Sequence, residues 1–285
     1  VGHRGLIARM DHQLRPAAQA LQNLLPRMLI GDAVGLGKTL EIGILLSELI
    51  RRGRGERILV VTPRAVLEQF QHELWTRFAI PLVRLDSSGI QKVKQTLPSS
   101  RNPFSYYKRV IVSIDTLKNP AKYKHHLKNH KWDAVVIDEC HNLMNRSSQN
   151  NGLAQLLSQQ TDALILASAT PHNGDPKSFA ELIGLLDKTA IADQKQYTAK
   201  DIEHLYVRRH RNSPDVKLDV AHKWKQRLTP KVVEVVPNAA EIAVLRELED
   251  TWLHPVGGSV VTGEGRQLFP WTLFKAFLSS PKALR

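Results

Sequence analysis

Residues 32–39 read Asp32-Ala33-Val34-Gly35-Leu36-Gly37-Lys38-Thr39, between an apolar run, Met28–Ile30, and a segment with helical spacing, Thr39–Arg51. Glycines between a strand and a helix let backbone N–H groups curl around phosphate oxygens, and the helix N-terminus adds the positive end of its dipole. In such a loop Lys38 reaches the β- and γ-phosphates of a nucleotide, and the Thr39 hydroxyl binds Mg²⁺. The general pattern starts with glycine where this chain has Asp32, and the alternative interpretation is an ordinary glycine turn. Because the strand and the helix both lie where phosphate binding requires them, we predict that residues 32–39 bind ATP with Mg²⁺.

Outward from this loop, apolar runs alternate with helical patterns from Asp11 to about Asp187. The predicted strands are Met28–Ile30, Arg57–Val61, Arg109–Ile114, Asp133–Ile137 and Ala163–Ala167. The predicted helices are Thr39–Arg51, Arg64–Phe78 and Lys177–Leu186. Runs of Val, Ile and Leu with little alternation are typical of parallel strands that are covered on both faces. We therefore predict an α/β fold, a parallel sheet with right-handed crossovers and helices on both faces.

The pattern weakens after Asp187, where we expect a partly helical C-terminal extension. Its predicted elements are a strand at Lys231–Val236, a helix at Ala239–Leu253, a glycine-rich loop at Val256–Gly265 and a helix at Gln267–Leu278. The last helix would carry Trp271, Phe274, Phe277 and Leu278 on one face, a stripe that is typical of core packing.

Composition narrows the class of protein. The chain has 285 residues, of which 42% are hydrophobic and 24% charged, so it can bury a core in one or two domains. No apolar run approaches the ~18 residues that a membrane span needs, and the single cysteine, Cys140, favours a reducing, cytoplasmic compartment without disulfides. A net charge of +13 favours a polyanionic partner, with nucleic acid the leading candidate.

A second constellation follows another predicted strand, where residues 134–141 read Ala134-Val135-Val136-Ile137-Asp138-Glu139-Cys140-His141. Two acids at the end of a buried strand are costly unless a metal ion or water chemistry uses them. Asp138 is placed to hold Mg²⁺ through water, and Glu139 to polarise the water that attacks the γ-phosphate. Two such acids are often a helix N-cap instead. The glycine loop upstream favours the catalytic interpretation, with Cys140 as a buried, inert thiol.

Together these stretches resemble helicase superfamily two, whose second motif is a DExH box; here it reads DECH. The pattern is most similar to the Swi/Snf-type translocase ATPases, in the bacterial branch with the RNA-polymerase-recycling ATPase and phage-defence helicases. In that group the loop typically reads D-x-x-G-L-G-K-T, which Asp32 fits, while Ala33 replaces a common acid. The resemblance covers roughly Asp11 to Arg211 and implies a RecA-like P-loop NTPase lobe.

The resemblance also assigns roles on the nucleotide side of the lobe. Gln13, 25 residues before Lys38, matches the glutamine that binds the edge of adenine, although a glutamine before a helix is usually surface filler. The implied catalytic residues are Lys38, Asp138, Glu139 and His141. Ser168, Ala169 and Thr170 match a coupling motif whose hydroxyls bond the acids and His141. Arg208 and Arg209 match the basic pair that closes the first lobe.

On the nucleic-acid side, the residues that match are Thr62, Pro63, Arg64, Ser113, Asp115 and Thr116. Small hydroxyls at strand ends suit phosphate contact, and without the resemblance they would be ordinary caps. Between Arg101 and Lys131 there are eight Lys/Arg residues and one acid, Asp115. A solvated face and a phosphate-contact surface are comparable interpretations of that run.

Motors of this family need a second RecA-like lobe, whose arginines resemble Q-x-x-G-R-x-x-R. No such run follows Arg211 in this chain. We therefore expect residues 1–211 to form the first lobe and 212–285 to form a linker and the start of a bridge to the second lobe. A chain that begins at Val1 and stops at Arg285 fits a piece of a longer protein. Alone, it should bind ATP·Mg²⁺ and hydrolyse ATP weakly.

The leading hypothesis is an ATP-dependent nucleic-acid motor that translocates along double-stranded DNA. One alternative is the motor subunit of a restriction-type nuclease, although no nuclease carboxylate–lysine cluster is evident. Another is an ATP-gated DNA-binding or scaffold module, which could dispense with a water-activating acid such as Glu139. The sequence does not decide whether the nucleic acid is DNA or RNA. It also leaves open whether the biological role is transcription recycling, nucleoprotein remodelling or phage defence.

Overall fold

The computed structural model describes residues 5–144, 148–172, 174–220, 229–254 and 268–280. The chain forms two compact units, residues 1–225 and residues 226–285. In the described residues none of the helices is long and apolar enough to cross a membrane.

A seven-stranded sheet forms the centre of the first unit. The strands are β1 (Arg27–Ile30), β2 (Ile58–Thr62), β3 (Val83–Arg84), β4 (Arg109–Ser113), β5 (Trp132–Ile137), β6 (Thr161–Ala167) and β7 (Tyr206–Val207). They pair in parallel throughout, in the order β3-β4-β2-β5-β6-β1-β7. Because the strands are parallel, their carboxyl ends meet at one edge of the sheet, where the loops that follow them lie side by side.

In the described part of the first unit there are ten α-helices. They are α1 (Asp11–Ala20), α2 (Lys38–Arg51), α3 (Leu67–Phe78), α4 (Ser87–Thr96), α5 (Ile114–Leu117), α6 (Pro120–Lys128), α7 (Gln149–Gln159), α8 (Pro176–Leu186), α9 (Ala199–Ile202) and α10 (Pro214–Val220). Short 3₁₀ turns occur at Pro103–Ser105 and Cys140–Leu143.

Two hydrophobic cores cover the two faces of the sheet. Side chains of α1, α2 and α3 pack on one face, together with strand residues such as Met28 and Ile30. Side chains of α6, α7 and α8 pack on the other face, where Leu29 from the same strand points. The strands are therefore buried on both faces, as their unbroken apolar runs predict.

The five predicted strands are confirmed to within two residues at either end, and the predicted parallel α/β fold with them. The predicted helices correspond to α2, α3 and α8. Two strands were not predicted: β3 and β7 are two residues long and lie at opposite edges of the sheet. A strand of two residues is too short to form an apolar run, so the sequence pattern does not predict it.

The second unit contains α11 (Ala239–Glu247), a π-helical stretch at Leu248–Leu253 and α12 (Leu268–Ser279). The strand predicted at Lys231–Val236 is wrong, because residues 229–238 form neither a strand nor a helix. Their valines are exposed, Val232 by 89%. The predicted loop Val256–Gly265 lies outside the described residues. Trp271 on the predicted apolar stripe of α12 is 54% exposed.

Candidate nucleotide site and adjoining polar groove

The glycine loop connects β1 to α2 in the geometry that its two glycines permit. Gly35 and Gly37 have φ values of +88° and +96°, a left-handed region that favours glycine. A Cβ on Gly37 would lie 2.6 Å from the Gln13 amide nitrogen, whereas a Cβ on Gly35 would meet no atom within 4 Å. The loop is therefore packed behind Gly37 and open in front of Gly35, as a phosphate cradle must be.

Lys38 and Thr39 open α2 directly behind this loop. The Lys38 Nζ donates to the Asp32 carbonyl oxygen at 2.9 Å, so its ammonium group lies across the base of the loop. Thr39 is half-buried next to it. The two residues occupy the places that a phosphate-binding lysine and a magnesium-binding hydroxyl require.

The acid pair follows β5 at the same edge of the sheet. The Asp138 N–H donates to the Val61 carbonyl oxygen at 2.9 Å, which joins the ends of β5 and β2. Glu139 has a φ of +51°, a left-handed conformation rare for a non-glycine residue. Burial raises the pKa of Asp138 to about 6; the charge of Glu139 adds to this effect and that of Lys38 opposes it. A bound cation would stabilise the ionised form of this buried carboxyl group, so the surroundings of Asp138 fit Mg²⁺.

Cys140 lies between the acid pair and His141. Its side chain is fully buried, and burial raises the pKa of the thiol above its usual value. A thiol that is both inaccessible and protonated is a poor nucleophile, in keeping with the inert role predicted for it.

A chain of polar contacts connects the acid pair to the segment after β6. The His141 Nδ1 lies 3.0 Å from the Glu139 Oε2 and 3.0 Å from the Ser168 Oγ. Ser168 is fully buried, and its Oγ accepts the Thr170 N–H at 3.1 Å. Ala169 is half-buried and Thr170 is exposed. The structure therefore brings together His141 and the predicted coupling residues, with Ser168 as the direct partner of the histidine.

Gln13 reaches the glycine loop from α1. Its side chain is 5% exposed, and the Nε2 donates to the Leu36 carbonyl oxygen at 2.9 Å. The amide therefore supports the loop in this structure, and adenine binding by Gln13 stays a prediction.

Asp32 has a different environment from the one its place in the motif suggests. Its side chain is fully buried, and its Oδ2 accepts the Arg209 Nη2 at 2.5 Å and Nε at 3.0 Å. The Arg209 backbone N–H also donates to Asp32, at 2.9 Å. The carboxylate therefore holds an arginine and does not face the phosphate cradle.

Glu41 completes this ion cluster and was missed in the sequence. It is fully buried in the first turn of α2, where its Oε1 accepts from the same Arg209 Nη2. Burial and the neighbouring Asp32 carboxylate raise the pKa of Glu41 well above its usual range, although Arg209 opposes them. The signal was available, since Glu41 lies on the apolar side of α2 with Ile42, Leu45 and Leu49, where an acid needs a partner.

A polar groove of about 480 Å³ lies beside the nucleotide site, at the carboxyl ends of β2, β3 and β4. Arg64, Ser113, Asp115 and Thr116, which were predicted to contact nucleic acid, line it. Lys122 of the predicted basic run also lines it, together with residues that sequence reasoning missed, among them Arg84, Asp86, Ser87, Ser88 and Asn119. The helices α4 and α6 begin at this groove, so their N-terminal dipoles add to its positive charge.

Three predicted contact residues are engaged within the protein. The Ser113 Oγ accepts the Thr116 N–H at 3.2 Å and lies 2.9 Å from the Thr116 Oγ1, so it caps α5. Asp115 forms an ion pair with Lys118 at 2.8 Å. A carboxylate in a phosphate groove repels the ligand unless such a cation offsets its charge.

Thr62 differs from the prediction that it contacts nucleic acid. Its side chain is fully buried, because β2 lies in the middle of the sheet and is covered on both faces. Its Oγ1 has no hydrogen-bond partner, and Thr62 does not line the groove. The adjoining Pro63 is half-buried and Arg64 is exposed, so contact with a ligand begins at the loop.

The basic run from Arg101 to Lys131 is divided among several surroundings. Lys122 lines the groove, whereas Lys108 pairs with Glu56 at 2.7 Å and Lys131 donates to the Gln159 carbonyl oxygen at 3.1 Å. Only part of the run is therefore placed for phosphate contact.

Comparison with known proteins agrees with these motifs. The family model described as the SNF2-related domain matches residues 17–225. The chain is 34% identical over 212 residues to the RNA polymerase-associated protein RapA of Actinobacillus pleuropneumoniae serotype 5b (strain L20), covering 71% of this chain and 22% of that protein. It is 32% identical over 200 residues to RapA of Sodalis glossinidius (strain morsitans), covering 69% of this chain and 20% of that protein. The chain thus spans about a fifth of the length of these relatives.

Solved structures agree on the fold. The SWI2/SNF2 ATPase core of Sulfolobus solfataricus, in complex with double-stranded DNA, has a TM-score of 0.64 at 16% identity and covers 98% of this chain and 60% of that one. The Hef helicase domain of Pyrococcus furiosus has a TM-score of 0.56 at 19% identity, over 74% and 39% of the two chains. These likenesses confirm the predicted RecA-like fold. The family match likewise confirms the resemblance to the Swi/Snf-type ATPases: the chain belongs to the SNF2-related domain family.

Proposed function

We propose that this chain is the first of two lobes of an ATP-dependent nucleic-acid motor that translocates along double-stranded DNA. The observation that carries the proposal is the meeting of three features at one edge of the sheet: the glycine loop, the acid pair with its His141–Ser168 contact, and the polar groove. The sheet order supports it, because β5, β6 and β1 carry the nucleotide site and β2, β4 and β3 carry the groove.

In this proposal residues 32–39 hold the phosphates of ATP, with Lys38 on the β- and γ-phosphates and Gln13 at the adenine. Thr39 and Asp138 are the residues that would hold Mg²⁺, which when bound neutralises charge on the phosphate oxygens. Glu139 orients the attacking water and accepts its proton. Asp32 acts on the loop indirectly, through its ion pair with Arg209.

His141 and Ser168 would couple the state of the nucleotide to the rest of the lobe. The Glu139 carboxylate contacts His141, so any movement of Glu139 toward a bound nucleotide disturbs the His141–Ser168 contact. Ser168 follows β6 and precedes Ala169 and Thr170. The exposure of these residues increases from Ser168 to Thr170, in the loop that connects β6 to α8. ATP binding and hydrolysis would thereby change the position of the segment that follows β6.

The groove supplies the nucleic-acid contact in this proposal. Arg64, Arg84 and Lys122 provide positive charge, and Ser113 and Thr116 provide hydroxyl groups of the kind that contact phosphates without reading sequence. The archaeal SWI2/SNF2 core was solved with double-stranded DNA, which favours duplex DNA over RNA here. The names of the RapA relatives favour a role at RNA polymerase over nucleoprotein remodelling or phage defence.

We place the lobe in residues 1–211, with 212–285 as the connection toward a second lobe in a cytoplasmic parent protein. The first part of that connection, α10, packs against the glycine loop within the first compact unit. Weak ATP turnover by the chain alone follows from this proposal, since the arginines of the second lobe would be missing.

Glu139→Gln separates this proposal from an ATP-gated scaffold. The amide keeps the shape of the side chain and cannot accept a proton, so ATP binding should persist while turnover falls by ~10²–10⁴. Displacement of a third strand from a DNA triplex measures translocation by the two-lobed parent protein. A motor loses this activity with Glu139→Gln; a Glu139→Gln protein that still displaces the strand would contradict the proposal.

A further inference from the structure

Arg209 connects the two ends of the glycine loop. Its side chain is 4% exposed at the end of β7, and its guanidinium contacts Asp32, Glu41 and the His12 carbonyl oxygen. Asp32 precedes the glycines and Glu41 follows them in the first turn of α2. One side chain therefore fixes both ends of the loop, from a position behind the phosphate cradle.

The contacts use the shape of the guanidinium group. Arg209 donates through Nε and Nη2 to Asp32, through Nη2 to Glu41 and through Nη1 to His12. Lysine has a single ammonium group on a flexible stem and cannot reproduce three diverging contacts. Charge alone would therefore not replace Arg209.

The helix that follows Arg209 supports the tip of the same loop. Val216 and Val220 of α10 are buried against Leu36, the apolar residue between the two glycines. Asp219 anchors α10 to α1, because its Oδ2 accepts the His12 N–H at 2.9 Å and lies 2.6 Å from the His12 Nδ1. The Arg209 side chain holds the base of the loop, and α10 holds its tip.

We propose that Arg209 is a positioning residue for ATP binding, and that Arg209–Val220 forms a brace whose order is linked to occupancy of the glycine loop. The inference rests on the proposed function, in that the loop must bind ATP. A segment that sets the shape of a binding loop is in turn ordered when the ligand binds, because coupling between two sites is reciprocal. The state of the nucleotide would thereby reach the chain that follows the lobe.

The test compares four variants of the full chain with the wild type: Arg209→Lys, Arg209→Met, Asp219→Ala and the control Lys200→Met, which removes an exposed cation from α9. A fluorescent ATP analogue with Mg²⁺ measures nucleotide affinity, and a duplex oligonucleotide measures DNA affinity. Hydrogen exchange of residues 214–220, with and without ATP, measures the order of α10. Thermal unfolding identifies variants that no longer fold. If both Arg209 variants fail to fold, Asp219→Ala still tests the brace, because Asp219 is only partly buried and lies outside the Arg209 cluster.

We expect both Arg209 variants to bind ATP about tenfold more weakly, a cost typical of a lost hydrogen bond between charged groups. Asp219→Ala should weaken ATP binding by about threefold through α10 alone. The control should match the wild type, and DNA affinity should stay the same in all variants. ATP should slow exchange in α10 of the wild type but not of Arg209→Lys.

Unchanged ATP affinity in a folded Arg209→Lys protein, or exchange in α10 that does not respond to ATP in the wild type, would overturn the brace. A wild-type chain that binds no ATP would instead overturn the proposed function. The two failures are therefore distinguishable.

Discussion

At the scale of single residues, the two glycines of the loop make different demands. Both adopt left-handed backbone conformations, so an alanine at either position costs about 1–2 kcal/mol of strain. Only at Gly37 would the new methyl group also press on the Gln13 amide, at 2.6 Å. We expect Gly37→Ala to lower the free energy of unfolding more than Gly35→Ala, as measured by urea unfolding without nucleotide. Equal losses of stability would show that the Gln13 contact does not support the loop.

Some residues of the site could be predicted from the sequence, and others could not. Lys38, Asp138, Glu139 and His141 are adjacent to recognisable strand ends, so their grouping follows from a parallel sheet. The Arg209–Asp32 ion pair joins residues 177 positions apart. No local sequence pattern predicts which cation pairs with a buried acid. Glu41 was detectable as an acid on an apolar helix face, although not with its partner.

At the scale of elements, Arg27 joins three parts of the fold. From the start of β1 its guanidinium donates to carbonyl oxygens at the end of α7, in β6 and in the last turn of α8, namely those of Ser158, Thr161, Asp162, Leu185 and Leu186. A cation at two helix C-termini offsets the negative ends of both dipoles.

Replacing that cation should destabilise the lobe. We expect Arg27→Met to lower the free energy of unfolding by about 2 kcal/mol, because several partly buried carbonyl groups lose a charged donor. The control Lys108→Met breaks an exposed ion pair with Glu56 and should cost less than about 0.5 kcal/mol. Urea unfolding of the three proteins measures both values, and similar losses in the two variants would contradict this role for Arg27.

The amino end of β5 carries a titratable group that should make stability depend on pH. Burial, aided by the charge of Arg57, lowers the pKa of His130 to about 4, and its ring packs edge-on against Trp132. The folded pKa lies below the unfolded value of about 6.5, so the unfolded chain binds the extra proton between those values. Stability from this group is complete above pH 6.5 and falls as the pH decreases toward 4.

We expect His130 to account for a loss of about 2 kcal/mol in the free energy of unfolding between pH 7 and pH 5. His130→Gln cannot titrate, so its stability should change less over the same interval. Urea unfolding at the two pH values gives the comparison. A parallel pH dependence in wild type and variant would mean that the imidazole keeps its ordinary pKa in the folded protein.

Elements differ in how far a sequence determines them. Five strands were predictable because buried parallel strands need continuous apolar runs, whereas β3 and β7 owe their existence to neighbouring strands. Pro16 lies inside α1, where a sequence pattern argues against a helix. The valines of residues 231–236 show the reverse case, a strand-like pattern with no strand to pair with among the described residues.

At the scale of the whole molecule, the groove predicts how binding should respond to salt. Arg64 lies in the loop after β2, Arg84 is the last residue of β3 and Lys122 lies in α6, at the end of the sheet away from β7. Each phosphate contact releases counterions, so each single alanine substitution should reduce the slope of log affinity against log salt by about 1. Lys200→Ala, on α9, is the control and should leave the slope unchanged. A slope that none of the three groove substitutions alters would place the DNA elsewhere.

For the whole molecule, the sequence predicts the class of protein well and says little about the rest of the motor. A net charge of +13 and the glycine loop together indicated a nucleotide-dependent protein with a polyanionic partner, and the family match agrees. A second lobe cannot be derived from residues that the chain does not contain, so the motor as a whole stays a proposal.

The most direct test of the central claim is ATP turnover by the two-lobed parent protein that we propose. It is measured with no nucleic acid, with single-stranded DNA, with duplex DNA and with duplex RNA, and Lys38→Ala serves as the inactive reference. A translocase with this site predicts strong stimulation by duplex DNA that is absent in Lys38→Ala. ATP binding without stimulation by any nucleic acid would contradict the motor and leave a nucleotide-gated switch.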